Sequence, residues 1–118
     1  MKKQKIIYSA AVLALVLGSS SAFAERWAVT EGPYGEWKGT WTIDPSRSDF
    51  SIILQSQHGT VTADGKYTKS GNTVSIARTG SSDGNDCNYS GTISGKSISG
   101  TYFCKNGGPY RWNAVISD

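Results

Sequence analysis

Cys87-Asn-Tyr-Ser-Gly-Thr-Ile-Ser-Gly-Lys-Ser-Ile-Ser-Gly-Thr-Tyr-Phe-Cys104 is nearly symmetric about Gly95-Lys96, and that symmetry decides the fold. A glycine in the first of two turn positions suits a type II′ hairpin, whose twist matches the strands it joins. With Gly95 and Lys96 in those positions, Ile93 faces Ile98, Gly91 faces Gly100, Tyr89 faces Tyr102 and Cys87 faces Cys104. Ser94 and Ser97 close the turn as a hydrogen-bonded pair, so alternation makes these four pairs non-hydrogen-bonded. Their Cα atoms are then about 4.5 Å apart, within reach of a disulfide. Cys87 and Cys104 are the two cysteines of the chain. A bond between them locks a hairpin that the turn already favours, and contributes about 3 kcal/mol in the chain-entropy view.

The same period of two runs outward from this hairpin in both directions. Trp37, Gly39, Trp41 and Ile43 share one face, followed by Phe50, Ile52 and Leu54, then Val61, Ala63 and Tyr67, then Val74 and Ile76. Beyond the hairpin come Tyr110, Trp112, Ala114 and Ile116. Turn signals separate these runs at Asp44-Pro45-Ser46, Gln57-His58-Gly59, Ser70-Gly71-Asn72, Ser81 to Asp86 and Asn106-Gly107-Gly108-Pro109. Seven short strands at hairpin spacing predict an all-β antiparallel meander closing into a barrel or sandwich, of which the barrel is the expectation. Trp27 and Val29, before the Gly32-Pro33 break, make Arg26 to Thr30 a candidate eighth strand. A short pattern recurs as Trp37-Lys-Gly-Thr-Trp41, Tyr89-Ser-Gly-Thr-Ile93 and Ile98-Ser-Gly-Thr-Tyr102. Each places an inward glycine between large inward side chains, as strand bending in a small barrel requires. Gly91 opposite Gly100 leaves a dent in the wall, either filled by aromatic rings or part of a ligand cavity.

Charge divides the chain in two. Of 118 residues, 12 are Lys or Arg and 9 are Asp or Glu, a net charge of +3. Lys2, Lys3 and Lys5 precede an apolar run from Ile6 to Leu17 and small residues ending Ala22-Phe23-Ala24. That is the form of a secretory signal cleaved after Ala24, with an apolar part too short to span a bilayer. Residues 25–118 then carry no net charge and form a single domain. A neutral domain excludes a basic nucleic-acid binder and a polybasic membrane binder. Glu25, rather than a cysteine, follows the cut, so no lipid anchor is expected. The short signal points to a bacterial periplasmic or secreted protein, and an oxidising compartment agrees with the paired cysteines.

Little in the domain has the arrangement of a catalyst. His58 is the one histidine and sits in a turn, without the partners of a nucleophilic triad or a zinc site. Glu25, Glu31, Glu36, Asp44, Asp49, Asp64, Asp83, Asp86 and Asp118 read mostly as solvated charges in loops or on polar faces. Asp83-Gly84-Asn85-Asp86 clusters oxygen ligands, yet lacks the count and spacing of a calcium loop. No catalytic residue, metal or cofactor is therefore expected. The informative group is aromatic: Trp and Tyr join a large apolar area to a polar tip, which suits both a core and stacking on rings. Trp37, Trp41, Tyr67, Tyr102 and Trp112 are the candidate ligand-binding residues. Phe103 and Ile53 point outward by alternation and offer an apolar spot to a partner protein.

Gly39-Thr40-Trp41-Thr42, with Gly65-Lys66-Tyr67 closing the next hairpin, resembles the opening strands of avidin-like and other calycin barrels. The likeness covers Gly39 to Tyr67. It implies a small secreted barrel with a ligand at one open end. In avidins an Asn two residues past the Trp, a Ser in the next loop and the hairpin Tyr hold biotin; the matching positions here are Ile43, Ser46 or Ser48, and Tyr67. Ile43 cannot replace the Asn amide, so the resemblance carries the barrel and not biotin binding. The expected function is a non-enzymatic exported barrel that binds a small apolar or aromatic ligand or a glycan. The alternative is a periplasmic inhibitor of an envelope protein, for example a cell-wall hydrolase, presenting Ser81 to Asp86 or Lys105 to Pro109.

Overall fold

A computed structural model describes residues 25–44 and 46–117 of the chain. The expected export signal, Met1 to Ala24, lies outside these residues, as do Pro45 and Asp118. Eight strands follow in order: β1 (Glu25–Glu31), β2 (Trp37–Asp44), β3 (Asp49–Ser56), β4 (Gly59–Ser70), β5 (Thr73–Thr79), β6 (Cys87–Ser94), β7 (Ser97–Cys104) and β8 (Gly107–Ser117). Every sequence neighbour pairs antiparallel, and β8 returns to pair with β1, closing a meander barrel with no free edge. The candidate eighth strand is thus β1, and it closes the barrel.

The deciding hairpin has the register expected from its symmetry. Cys87 pairs with Cys104, Tyr89 with Tyr102, Gly91 with Gly100 and Ile93 with Ile98. Gly95 has φ +62° and Lys96 does not share that sign, as a type II′ turn requires. The disulfide is formed, with Cα atoms 3.9 Å apart. One boundary differs from expectation. β8 begins at Gly107, inside the stretch read as a turn, and its register with β7 shifts between Gly107 and Tyr110. Gly108 has φ +136°, and a Cβ there would lie 2.8 Å from the Tyr102 carbonyl oxygen. Only a glycine lets the chain run that close to β7 while it shifts register.

The interior is filled. Trp27, Trp41, Trp112, Tyr89, Phe50 and the aliphatic residues of alternate positions form one buried cluster. Their rings make a continuous column. Trp41 stacks on Trp112 with centroids 6.0 Å apart and meets Tyr89 edge-on at 5.0 Å. Tyr89 stacks on Tyr102 at 4.7 Å, while Phe50 links Trp41 to Trp27 and Tyr67. Each fully buried large apolar side chain is worth about 1.5–3 kcal/mol, so a few aromatics supply the core that aliphatic residues supply elsewhere. The packing has one polar cost, since the buried Trp41 Nε1 has no hydrogen-bond partner. The dent at Gly91 is occupied by the Trp112 ring: a Cβ on Gly91 would stand 2.9 Å from Trp112 Cζ2. At Gly39 and Gly100 a Cβ would fall 1.8 and 1.9 Å from a neighbouring carbonyl oxygen, so the strands bend together there on bare backbone.

The connections sort into two ends. One end carries residues 46–48, 71–72 and 95–96; the other, here called the mouth, carries 32–36, 57–58, 80–86 and 105–106. The disulfide lies at the mouth, where it ties the first residue of β6 to the last of β7.

Candidate functional site

Alternation places two charged residues inside the mouth. Glu31 follows Trp27 and Val29 on the inward face of β1, and Arg78 follows Val74 and Ile76 on that of β5. Both are 4% exposed. Such burial is costly unless charge and hydrogen bonds are satisfied; the two balance each other's charge, and their hydrogen bonds go to neighbours. Arg78 Nη1 lies 3.6 Å from Glu31 Oε2. The Tyr89 hydroxyl donates to Glu31 Oε1 at 2.6 Å and accepts from Arg78 Nη1 at 3.1 Å. Arg78 Nε donates to Ser81 Oγ at 3.1 Å, and Nη2 donates to the Asn85 carbonyl. One guanidinium thus ties β1, β5, β6 and the 80–86 loop together.

The electrostatics follow from burial. Desolvation pushes the Glu31 carboxyl above its ordinary value, opposed by the Tyr89 hydroxyl, the Arg78 charge and the Tyr102 hydroxyl. Asp83 adds a smaller upward push through its like charge. Burial drives the Tyr89 and Tyr102 hydroxyls far above the usual phenol value, with the Glu31 charge acting in the same direction. Both phenols therefore remain proton donors.

Above this cluster opens a cleft of about 180 Å³, lined by Glu31, Trp37, Leu54, Val61, Arg78, Asp83, Asn85 and Asn106. Its rim is braced. Asp86 Oδ1 accepts the Ser81 N–H at 3.1 Å, Asp83 Oδ1 accepts the Asn85 N–H at 3.0 Å, and the Lys105 N–H reaches the Asp86 carbonyl. Hydrogen bonds from Ser81 hold the Asp86 carboxyl below its usual range. Across the cleft Trp37 packs 6.5 Å from His58.

Of the five aromatics singled out from the sequence, Trp37 lines this cleft. Trp41 and Trp112 are wholly buried in the column, and Tyr102 is buried beside Tyr89 with its hydroxyl near Glu31. Tyr67 lies at the far end, half-buried against Trp27 and Phe50. The positions matching biotin ligands also lie at the far end: Ile43 is buried in the core, and Ser46 bonds Asp44. Glu31 departs from the expected solvated acid, and neither it nor Arg78 was a sequence candidate. The signal that would have found both is the strand parity itself, carried past the last apolar residue. Phe103 and Ile53 face outward as expected, 54% and 47% exposed. Among the described residues no group of three or more His, Cys, Asp or Glu is placed to hold a metal ion.

No protein-family model, curated protein or solved structure matches the chain.

Proposed function

We propose that the chain is an exported, non-enzymatic binding protein that takes a ligand of single-sugar-ring size at the barrel mouth. The cleft over the Glu31–Arg78 pair carries this reading, because it joins an apolar wall of Trp37, Leu54 and Val61 to the polar groups of Asp83, Asn85 and Asn106. A sugar ring has the matching anatomy: an apolar face for an indole and hydroxyls for amides and carboxylates. Between the two ligand chemistries expected from the sequence, the mouth favours the glycan. An apolar molecule would need the barrel interior, which the aromatic column fills. The cleft is also smaller than the ~300 Å³ that houses a drug-sized ligand. Export is supported by the charged and apolar pattern of Met1 to Ala24 and by the disulfide.

The test is tryptophan fluorescence across a panel of mono- and disaccharides, repeated on Trp37→Ala and Tyr67→Ala. A response lost in the first variant and kept in the second supports the mouth. A response lost only in Tyr67→Ala moves the site to the far end. A second reading, the protein–protein inhibitor, is favoured by the braced loop from Ser81 to Asp86, since a rigid loop loses little entropy on docking. Capture of a cell-wall hydrolase by the wild type, lost when residues 82–85 are replaced by glycine and serine, would support that reading over the glycan.

A further inference from the structure

Resting on the mouth as a binding cleft, we infer that its ligand carries an ammonium group on a frame of sugar-ring size. The charges lining the cleft decide this. Arg78 is the one cation among the residues that line it, and three of its five N–H donors go to Ser81, Asn85 and Tyr89. Its charge is already balanced by Glu31 at 3.6 Å. An incoming anion therefore meets a cation already balanced by Glu31 and a second carboxylate, Asp83, in the same lining.

The acids are differently placed. Asp83 takes part in none of the ion pairs among the described residues, and one of its oxygens accepts the Asn85 N–H. Glu31 is buried and lines the cleft, but Arg78 meets its Oε2 beyond hydrogen-bond distance. A carboxylate offers about four acceptor positions, and the Tyr89 and Tyr102 hydroxyls leave some of these unfilled. Both carboxylates line one cleft, and the Asp83 charge adds a small push against the charged form of Glu31. A cation between them relieves that repulsion and fills the open acceptor positions. An ammonium group brings three donors and one positive charge. Trp37 on the wall adds the attraction of an aromatic face for a cation. Leu54 and Val61 take the carbon frame, and Asn85 and Asn106 serve the remaining hydroxyls. A primary amine on a sugar ring fits every part of this lining.

The experiment titrates isotope-labelled protein near neutral pH with glucosamine, glucose, N-acetylglucosamine and glucuronate, following the Trp37 indole and the Asn85 and Asn106 side-chain amides. Glucosamine should move these signals at about tenfold lower concentration than glucose, as expected for one partly buried charge contact. N-acetylglucosamine should behave like glucose, and glucuronate should be weakest. Asp83→Asn keeps the acceptor for Asn85 and should erase the preference, so that glucosamine and glucose act at the same concentration on this variant. If glucose or glucuronate matches glucosamine at the mouth, the ammonium inference falls and the mouth remains a sugar site. If the preference survives in Asp83→Asn, the assigned carboxylate recognition falls. If none of the four sugars moves the mouth signals, the mouth as a sugar site falls. Nα-acetyl-lysine amide identifies the source: stronger binding than glucosamine keeps the ammonium and assigns it to a protein side chain.

Discussion

The two ends of the barrel close by different means. At the far end, two-residue turns at 71–72 and 95–96 join their strands, and Asp44 braces residues 46–48 by accepting from the Ser46 backbone and hydroxyl. Trp27, Phe50 and Tyr67 plug that end with apolar surface. The mouth has two-residue turns too, at 57–58 and 105–106, but its 32–36 and 80–86 loops are too long to fix their own strands. The work passes to side chains: the Glu31–Arg78–Tyr89 cluster joins distant parts of the chain, the disulfide ties one hairpin, and Asp86 braces its own loop. Local closure leaves no room for a ligand. Long-range closure leaves a lined cleft, because polar groups held from four directions do not collapse onto one another. Binding capacity at the mouth is thus a by-product of how that end is held shut.

The largest break in this contrast comes from splitting the buried pair. Glu31→Leu leaves Arg78 buried without its counter-charge, and arginine cannot shed its proton to escape. The expected loss is about 3–5 kcal/mol, read by urea denaturation. Arg78→Met should cost less, because the stranded Glu31 can take up a proton, a form its burial already favours. The double variant Glu31→Leu/Arg78→Met should return to near wild-type stability, since well-packed apolar residues commonly replace a buried ion pair at no loss. If the double variant is as unstable as Glu31→Leu, the cluster is needed for its hydrogen bonds and not only for its charge balance.

Removing the disulfide is the next step down. Replacing Cys87 and Cys104 together by Ala should lower stability by about 3 kcal/mol. Hydrogen exchange should quicken at 80–86 and 105–106 and remain slow around Gly95-Lys96, where turn chemistry holds the hairpin. Uniform quickening along β6 and β7 would mean that the bond supports the whole hairpin and not the mouth alone.

How far the sequence foretold the molecule follows the same division. The β6–β7 register could be read residue by residue because it depends only on neighbours across one turn. The closing strand could be read because Trp27 and Val29 alternate as an edge-free barrel requires. Whether the barrel is hollow could not, since filling depends on the rings of eight strands together; a chain with few aliphatic residues favours Trp41 and Trp112 as core, and only the column separates that from a ligand stack. Glu31 and Arg78 were hidden for a different reason. Their parity points inward, but a charged residue at a strand end is ordinarily solvated, and its partner here is 58 residues away in the case of Tyr89. Of the cleft, Trp37 could be foreseen; the polar floor belongs to tertiary structure alone.

Acidity separates the ends more gently. The Glu31 carboxyl is raised by burial, so the folded state holds its proton more tightly than the unfolded chain. Its contribution to stability is then full below the ordinary value of 4.5 and is lost as pH rises through the elevated value. The groups facing it are Arg78, which stays charged, Tyr89 and Tyr102, whose hydroxyls stay protonated, and Asp83, whose charge adds to the upward push. Glu31→Gln should flatten this fall in melting temperature with rising pH. An unchanged slope would show that other groups set it.

The smallest effect belongs to the far end. Asp49 pairs with Lys66 and with Arg47, and its carboxyl is lowered chiefly by the Lys66 hydrogen bond. By the same linkage its contribution has the opposite sign: present above the ordinary value of 3.8 and lost as pH falls through the lowered one. Yet both cations are exposed, and ion pairs in water gain little because solvent screens the attraction and long side chains lose freedom. Lys66→Ala should therefore leave the melting temperature almost unchanged at neutral pH, and added salt should not alter the difference from wild type. A clear drop that salt removes would mean that the far end, too, is held by charge, and the contrast between a locally closed end and one tied across the barrel would no longer hold.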